Sequence, residues 1–407
     1  MTRRGALGVA LVAVAAAVVV VLAVRARPAW RRAAVTRTAL PARALVVYHA
    51  RTRDLTLLTD PLRPDGPQRR LDCAGLPEWA LRVGAREDQL VLLDARRPAI
   101  LTVSREALRR IALGRARCDA TVAPLALRVP LAHGKTPYGG VLDGDRLFVS
   151  FFGDNLVEVY RFADGVPRWE RDIVFAASES LGLSDLVVRG DTLVVAGSGF
   201  ICGGPHCPDG QFHDSTLFFV APAASWPFPT LTPANHDGAG LYAHPDDGAL
   251  WVLNAGDFAG GYGSLQRLVD EHRLGPELRL PRGAAPARAL RLDARHFVVR
   301  QFAGEHLFVV DGVAGRLARI ERLDEAAFTA VAPSVAALPE RSASDVQDIV
   351  ADPADGGRFW IVDSKRERLV RARFDAGAGA LRFEGATSLG GSGGGGRSGP
   401  SWAVWLD

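Results

Sequence analysis

A chain of 407 residues with 48% hydrophobic and 23% charged residues has the composition of a globular protein with a large core, which excludes intrinsic disorder. Its formal charge of +4 is carried by the N-terminus: residues 1–32 hold six arginines and no acid, which leaves the rest of the chain at −2. A nearly neutral body lacks the concentrated basic face that binding to a phosphate backbone needs, so nucleic acid is excluded as the main partner.

The first predicted element is GALGVALVAVAAAVVVVLAV, Gly5 to Val24, twenty residues without a charge and long enough to span a bilayer as one helix. A cleaved signal peptide would have a shorter apolar run and a small-x-small site after it, of which VRA and RPA are poor versions. Residues 1–32 are therefore expected to be an uncleaved membrane anchor, followed by a linker over 33–43. Four arginines after the helix against two before it favour a cytoplasmic body by the positive-inside rule. The even cysteine count favours an oxidising compartment, and long domains cross with little regard to flanking charge. The expected location is the periplasmic side of a bacterial inner membrane, with the cytoplasmic orientation left open.

Beyond residue 40 short runs of Val, Leu, Phe and Trp alternate with Gly, Asp and Pro, the pattern of sequential antiparallel strands. One unit recurs: an apolar opening strand, an Asp/Gly turn, a second strand, a loop and a third strand. Copies open at Pro77, Pro137, Ser184, Asp237, Pro286 and Ser344, spaced by 60, 47, 53, 49 and 58 residues. That period suits a four-stranded propeller blade with loop insertions. The last residues, GPSWAVWLD, read as an opener with no partner after it, and ALVVYHARTRDLTLLTD from Ala44 as later strands with no opener before them. Joined, residues 398–407 and 44–76 make a closing blade, which predicts an all-β, seven-bladed β-propeller over 44–407. Closing the ring with both termini hides sheet edges. VSREALRRIAL, from Val103, is read as a blade edge rather than a short helix, and GGSGGGGRSGP, 390–400, as a flexible connector.

The segment LFVSFFGDNLVEVY, 147–160, resembles the YVTN-type propeller repeat, in which an apolar strand meets a short Asn-containing loop and a Val-rich strand. LWVLNAGDFAGG and FWIVDSKRERLV are drifted versions of it. The resemblance extends to the NHL-type and gluconolactonase-like propellers. It implies the fold, and a family whose members include binding scaffolds, lactone hydrolases and lyases.

Blade-to-blade loops and those between second and third strands should emerge on one face. That face collects His133 and Lys135, Asp154 and Asn155, Asn235, His236 and Asp237, Asn254 and Asp257, and Asp363, Lys365 and Arg366. The chain's only two lysines, Lys135 and Lys365, map there. Polar loops clustered on one side of a rigid scaffold are where binding groups accumulate. His133 and His236 read either as bases or ligands at the channel mouth or as half-buried blade-junction residues. Lys135 reads as an anion binder or a solvated cation. In gluconolactonase-like enzymes Asn, Asp and Glu oxygens hold a divalent cation, and the resemblance points to Asn155, Asn254 and Asp363 for that role, although no glutamate stands out to complete the set.

FICGGPHCPDGQFHD, 200–214, has the wrong spacing for c-type haem. In an exported protein Cys202 and Cys207 are expected to form a disulfide that closes this loop; the alternative is a metal held by Cys202, His206, Cys207 and His213. Cys73 and Cys118 then make the second disulfide, whose loop of about 45 residues corresponds to roughly 4 kcal/mol in the chain-entropy picture. No G-x-S-x-G, H-E-x-x-H or dinucleotide fingerprint is present. The leading functional expectation is a membrane-anchored extracytoplasmic propeller that binds a small-molecule or protein ligand on its loop-rich face, without a resident cofactor. A metal-dependent lactone hydrolase or lyase, and a docking module for a redox partner, are the alternatives.

Overall fold

The computed structural model describes residues 44–406 apart from 51, 59–67, 73–75, 78, 88, 113–125, 178–179, 202–210, 257–260, 340–341 and 390–400. The expected anchor, all four cysteines, His206 and Asp257 lie outside the described residues. Among the described residues no helix is long and apolar enough to cross a membrane.

Seven antiparallel sheets form the blades of a propeller. Their innermost strands are Ala80–Arg86, Pro137–Asp143, Leu183–Arg189, Gly238–Ala243, Pro286–Arg291, Val346–Asp352 and Trp402–Leu406, defining blades 1 to 7. The first six begin within three residues of the openers read from sequence. Blade 7 is closed by both termini as expected: Ala44–His49 pairs Trp402–Leu406 on one side, with Tyr48 opposite Trp402, and Asp54–Leu58 on the other. The Tyr48 and Trp402 rings stack at 4.7 Å across that seam.

The second strand of each blade is covered on both faces, which is why the sequence shows continuous apolar runs there rather than alternation. QLVLLD (Gln89–Asp94), RLFVSF (Arg146–Phe151) and LWVLN (Leu250–Asn254) are buried almost throughout. The hydrophobic clusters lie between neighbouring blades: Phe175, Leu186 and Phe218 join blades 2 and 3, and Trp251, Phe297 and Phe308 join 4 and 5. Each such large side chain contributes about 1.5–3 kcal/mol through burial. Outer strands such as Val166–Val174 mix buried and exposed positions and leave a weaker imprint on the sequence. The first hairpins are tight, as the Asp/Gly turns predict; Gly144, between Asp143 and Asp145, sits at φ +58°, where a side chain would be strained.

One expectation is corrected. The segment after Val103 is a helix, Arg105–Ala112, which follows the third strand of blade 1. Ser104 ends that strand and caps the helix, its Oγ accepting the Ala107 N–H at 3.3 Å.

Candidate functional site

The inner strands surround a cavity of about 980 Å³, of a size that holds a small molecule. A recurrent irregularity shapes its wall. In blades 1 to 6 the inner strand slips register against the second strand near its start, between Arg82 and Gly84, Pro137 and Gly139, Leu183 and Leu186, Gly238 and Gly240, Pro286 and Arg288, and Val346 and Asp348. A bulge redirects the extra residue out of the pleat. Val83, Tyr138, Ser184, Asp185, Ala287 and Gln347 occupy the slips of blades 1, 2, 3, 5 and 6, and all six line the cavity.

Hydrogen bonds stitch the bulges from blade to blade. Gly139 N donates to Ser150 Oγ at 3.0 Å, Ser150 Oγ donates to Ser184 O at 3.0 Å, and Ser184 Oγ donates to Gly238 O. The strands meet so closely here that a Cβ on Gly139 would collide with Ser184 O, which explains the glycine.

Opposite this seam the cavity is cationic. Arg82 donates to Ala403 O at 2.6 Å and pairs with Asp348 at 3.2 Å; Arg288 reaches the same Asp348 oxygen at 3.4 Å. Arg300 donates to Val346 O at 3.0 Å, while its buried Nε has no acceptor among the described residues. Asp348, 1% exposed, also accepts the Ala403 N–H at 3.2 Å, so it ties blades 1, 5, 6 and 7 together. Burial and, to a lesser degree, repulsion from Arg288 bring the Arg82 and Arg300 guanidiniums down to about 10. Arg96 adds a further cation to the wall, against which only Asp348 and Asp185 are anionic. Asp185 accepts backbone N–H groups from Leu186 and Leu241, at 2.9 and 2.8 Å, and burial raises its pKa. Trp79 and Tyr138 are exposed aromatic groups on the same wall. Tyr138 is about half exposed, and the buried share of its ring, then Asp237 and Asp185, raise its phenol pKa against the pull of Arg300.

None of the described residues singled out from sequence as ligand-binding lies on this wall, and the structure gives most of them architectural partners. His133 sits 2.7 Å from Asp172 and edge-on to Trp169, on the outer strand of blade 2. The Lys135 backbone N–H is held by Asp154 at 2.8 Å, and its side chain is exposed. Asn155, at φ 45°, accepts the Leu181 N–H at 2.7 Å. Asp363 accepts the N–H groups of Asp345 and Arg366 and pairs with Arg368 at 2.9 Å; Lys365 donates to Ser342 O. His236 lies 3.5 Å from Asp214, at the foot of the cysteine-containing insertion. Asn254 is fully buried, and its Oδ1 has no donor among the described residues. Asp237 is 6% exposed, at φ 52°, and burial raises its carboxyl to about 7.

His133, Glu158 and Asp172 have carboxylate and imidazole atoms close enough to share a metal. The donor set does not fit one. Glu158 accepts the N–H groups of His133 at 2.5 Å, Gly134 at 2.7 Å and Ala132 at 3.1 Å, and the Tyr160 hydroxyl, which occupies its lone pairs. Glu158, which the sequence reading missed, clamps the loop into blade 2. Gln266 holds the Ala234 N–H at 2.7 Å in the corresponding place in blade 4.

The architecture defines the class: a seven-bladed β-propeller. No protein-family model matches the sequence, and no curated protein matches it. Among solved structures the chain is similar to a putative 6-phosphogluconolactonase from Bacteroides uniformis, with a TM-score of 0.54 and 10% identity over 89% of this chain and 99% of that one. It is also similar to the C-terminal WD40 domain of Sif2 (TM-score 0.51, 10% identity, 88% and 85% covered). Apo AztD from Citrobacter koseri matches at a TM-score of 0.50 and 10% identity, with 89% and 97% covered. At this identity the likeness is one of fold, and it agrees with the propeller expected from sequence.

Proposed function

We propose that this protein is a membrane-anchored, extracytoplasmic binding propeller whose central cavity captures a small anion at the loop-rich face. The observation that carries this reading is the convergence of Arg82, Arg288 and Arg300 on one cavity, with Arg300 Nε lacking an acceptor among the described residues. Guanidiniums recognise carboxylates and phosphates through paired, charge-assisted hydrogen bonds. Two of the three are already committed to backbone carbonyls, so they are held in place before the ligand arrives, which lowers the ordering cost of binding. Val83, Leu241 and Ala289 add apolar surface to the same wall, which lowers the local dielectric and strengthens the charge interaction. Binding fits the site better than metal-dependent hydrolysis, because the one metal-like trio among the described residues is saturated by its own loop.

Titration calorimetry of the soluble body with succinate, citrate and inorganic phosphate tests this. At least one is expected to bind, and Arg288→Ala, which removes the most exposed of the three guanidiniums, is expected to weaken it by about tenfold or more, the value of one charge-assisted contact. Equal affinity in wild type and variant, or no binding by any of the three, would overturn the reading. The export half is tested separately: all four cysteines in protein taken from membranes should resist alkylation until reduced.

A further inference from the structure

The cavity wall carries a second feature besides its arginines: two large aromatic side chains left uncovered. Trp79 is 56% exposed and Tyr138 49% exposed, and both line the cavity, whereas Trp251 and Trp360 are packed out of solvent between blades. Their backbones are fixed. Trp79 O accepts the Ala95 N–H at 3.1 Å, and the carbonyl of the next residue, Ala80, accepts the Trp402 indole N–H at 3.0 Å. Tyr138 sits on the bulge between Pro137 and Gly139, with its ring centroid 5.1 Å from that of Phe152. Both rings are thus anchored on inner-strand backbone, which lowers the ordering cost when a ligand stacks on them.

Exposed aromatic faces in a cavity suit either a sugar ring or a flat arene, and the polar side chains of the wall decide between them. Ser184 Oγ donates to Gly238 O, and Gln347 Nε2 donates to Asp345 at 2.7 Å. Asp185 takes the Leu186 N–H on one oxygen at 2.9 Å and the Leu241 N–H on the other at 2.8 Å. The groups that would recognise the hydroxyls of a polyol are therefore engaged by the fold itself. What the wall offers a ligand is the charge of Arg82, Arg288 and Arg300, the aromatic faces, and aliphatic surface. That combination matches an anionic head on a flat apolar body. Trp79 and Arg82 lie three residues apart along the opening of blade 1, about 10 Å of extended chain, a gap that the two side chains and a bicyclic acid bridge.

We propose that the occupant of the cavity is an aromatic anion, a flat ring system bearing a carboxylate or phosphate, with its charge against Arg82, Arg288 and Arg300 and its ring against Trp79 and Tyr138. This rests on the anion-binding reading and adds the body of the ligand to its head. The volume of about 980 Å³ admits a fused ring as well as a single one.

Calorimetry on the full-length protein compares 2-naphthoate and 2-naphthyl phosphate with their decahydro forms, which keep the charge and bulk but lose the flat face. It also compares them with 2-naphthamide and 2-naphthol, which keep the ring but lose the charge. At least one naphthyl anion is expected to bind about tenfold or more tightly than both its saturated and its neutral counterpart. Trp79→Ala and Tyr138→Leu are each expected to remove most of the preference for the flat ring. Equal binding of flat and saturated forms overturns the aromatic anion, as does full retention of the preference in both variants, or failure of both naphthyl anions. If a decahydro form, succinate, citrate or phosphate still binds, the anion-binding reading survives that result. If no anion binds, or the neutral ring compounds bind as tightly as the anions, both readings fall together.

Discussion

Asp237→Asn is expected to make the propeller more stable near pH 8 and to leave it almost unchanged at about pH 4 or below. Burial holds the folded-state pKa of Asp237 at about 7, against about 3.9 for an unperturbed aspartate. Between those values the folded state keeps a proton that the unfolded chain has released. Wild-type stability therefore falls as pH rises through the window from about 4 to about 7. The gap between the two values corresponds to at most about 4 kcal/mol. Asparagine tolerates a left-handed backbone as readily as aspartate, so the exchange adds no strain at φ 52°. Asp185, also raised by burial, leaves a residual slope of the same sign in the variant. Urea midpoints of both proteins at the two pH values decide the matter; a stability difference that does not change with pH would show that this carboxyl carries no buried charge.

Arg82→Met is the second large effect, in the opposite direction. It removes a guanidinium that links blade 1 to Ala403 O of blade 7 and to Asp348 of blade 6, and leaves Asp348 buried at 1% exposure. Removing one partner of a buried pair costs about 3–5 kcal/mol. Arg288 and the Ala403 N–H remain on Asp348, so the lower end, about 3 kcal/mol, is expected. The double variant with Asp348→Asn should lose much less than the sum of the two single changes, since neither charge is then left alone. Denaturant titration checks both, and a loss under about 1 kcal/mol for the single change would reduce the pair to a screened contact.

The propeller was legible in the sequence because its second strands are buried on both faces and print continuous apolar runs, while Asp/Gly turns mark the hairpins between them. The closing blade was legible because each terminus lacked what the other supplied. The cavity wall was not. PARALRLDA, which holds Arg288, reads as an ordinary opening strand, and nothing local sets Arg82 or Arg300 apart in an arginine-rich chain. Only ring closure brings residues 82, 288, 300 and 348 together, and a one-residue bulge decides which side chain meets the channel. Conversely, Asn155 and Asp363 looked like ligands because loop-anchoring and metal-binding oxygens are the same chemical groups; their backbone N–H partners distinguish the roles. The Arg105–Ala112 helix was hidden by the strand that runs directly into its cap.

The terminal seam also sets a schedule. Ala44–His49 is synthesised some 350 residues before its inner partner, Trp402–Leu406. Until that strand arrives, Tyr48 has no Trp402 to stack on, Arg82 has no Ala403 carbonyl, and Asp348 lacks one of its donors. The cationic wall is therefore completed only when Trp402–Leu406 arrives, and a chain cut short of that strand would have six complete blades.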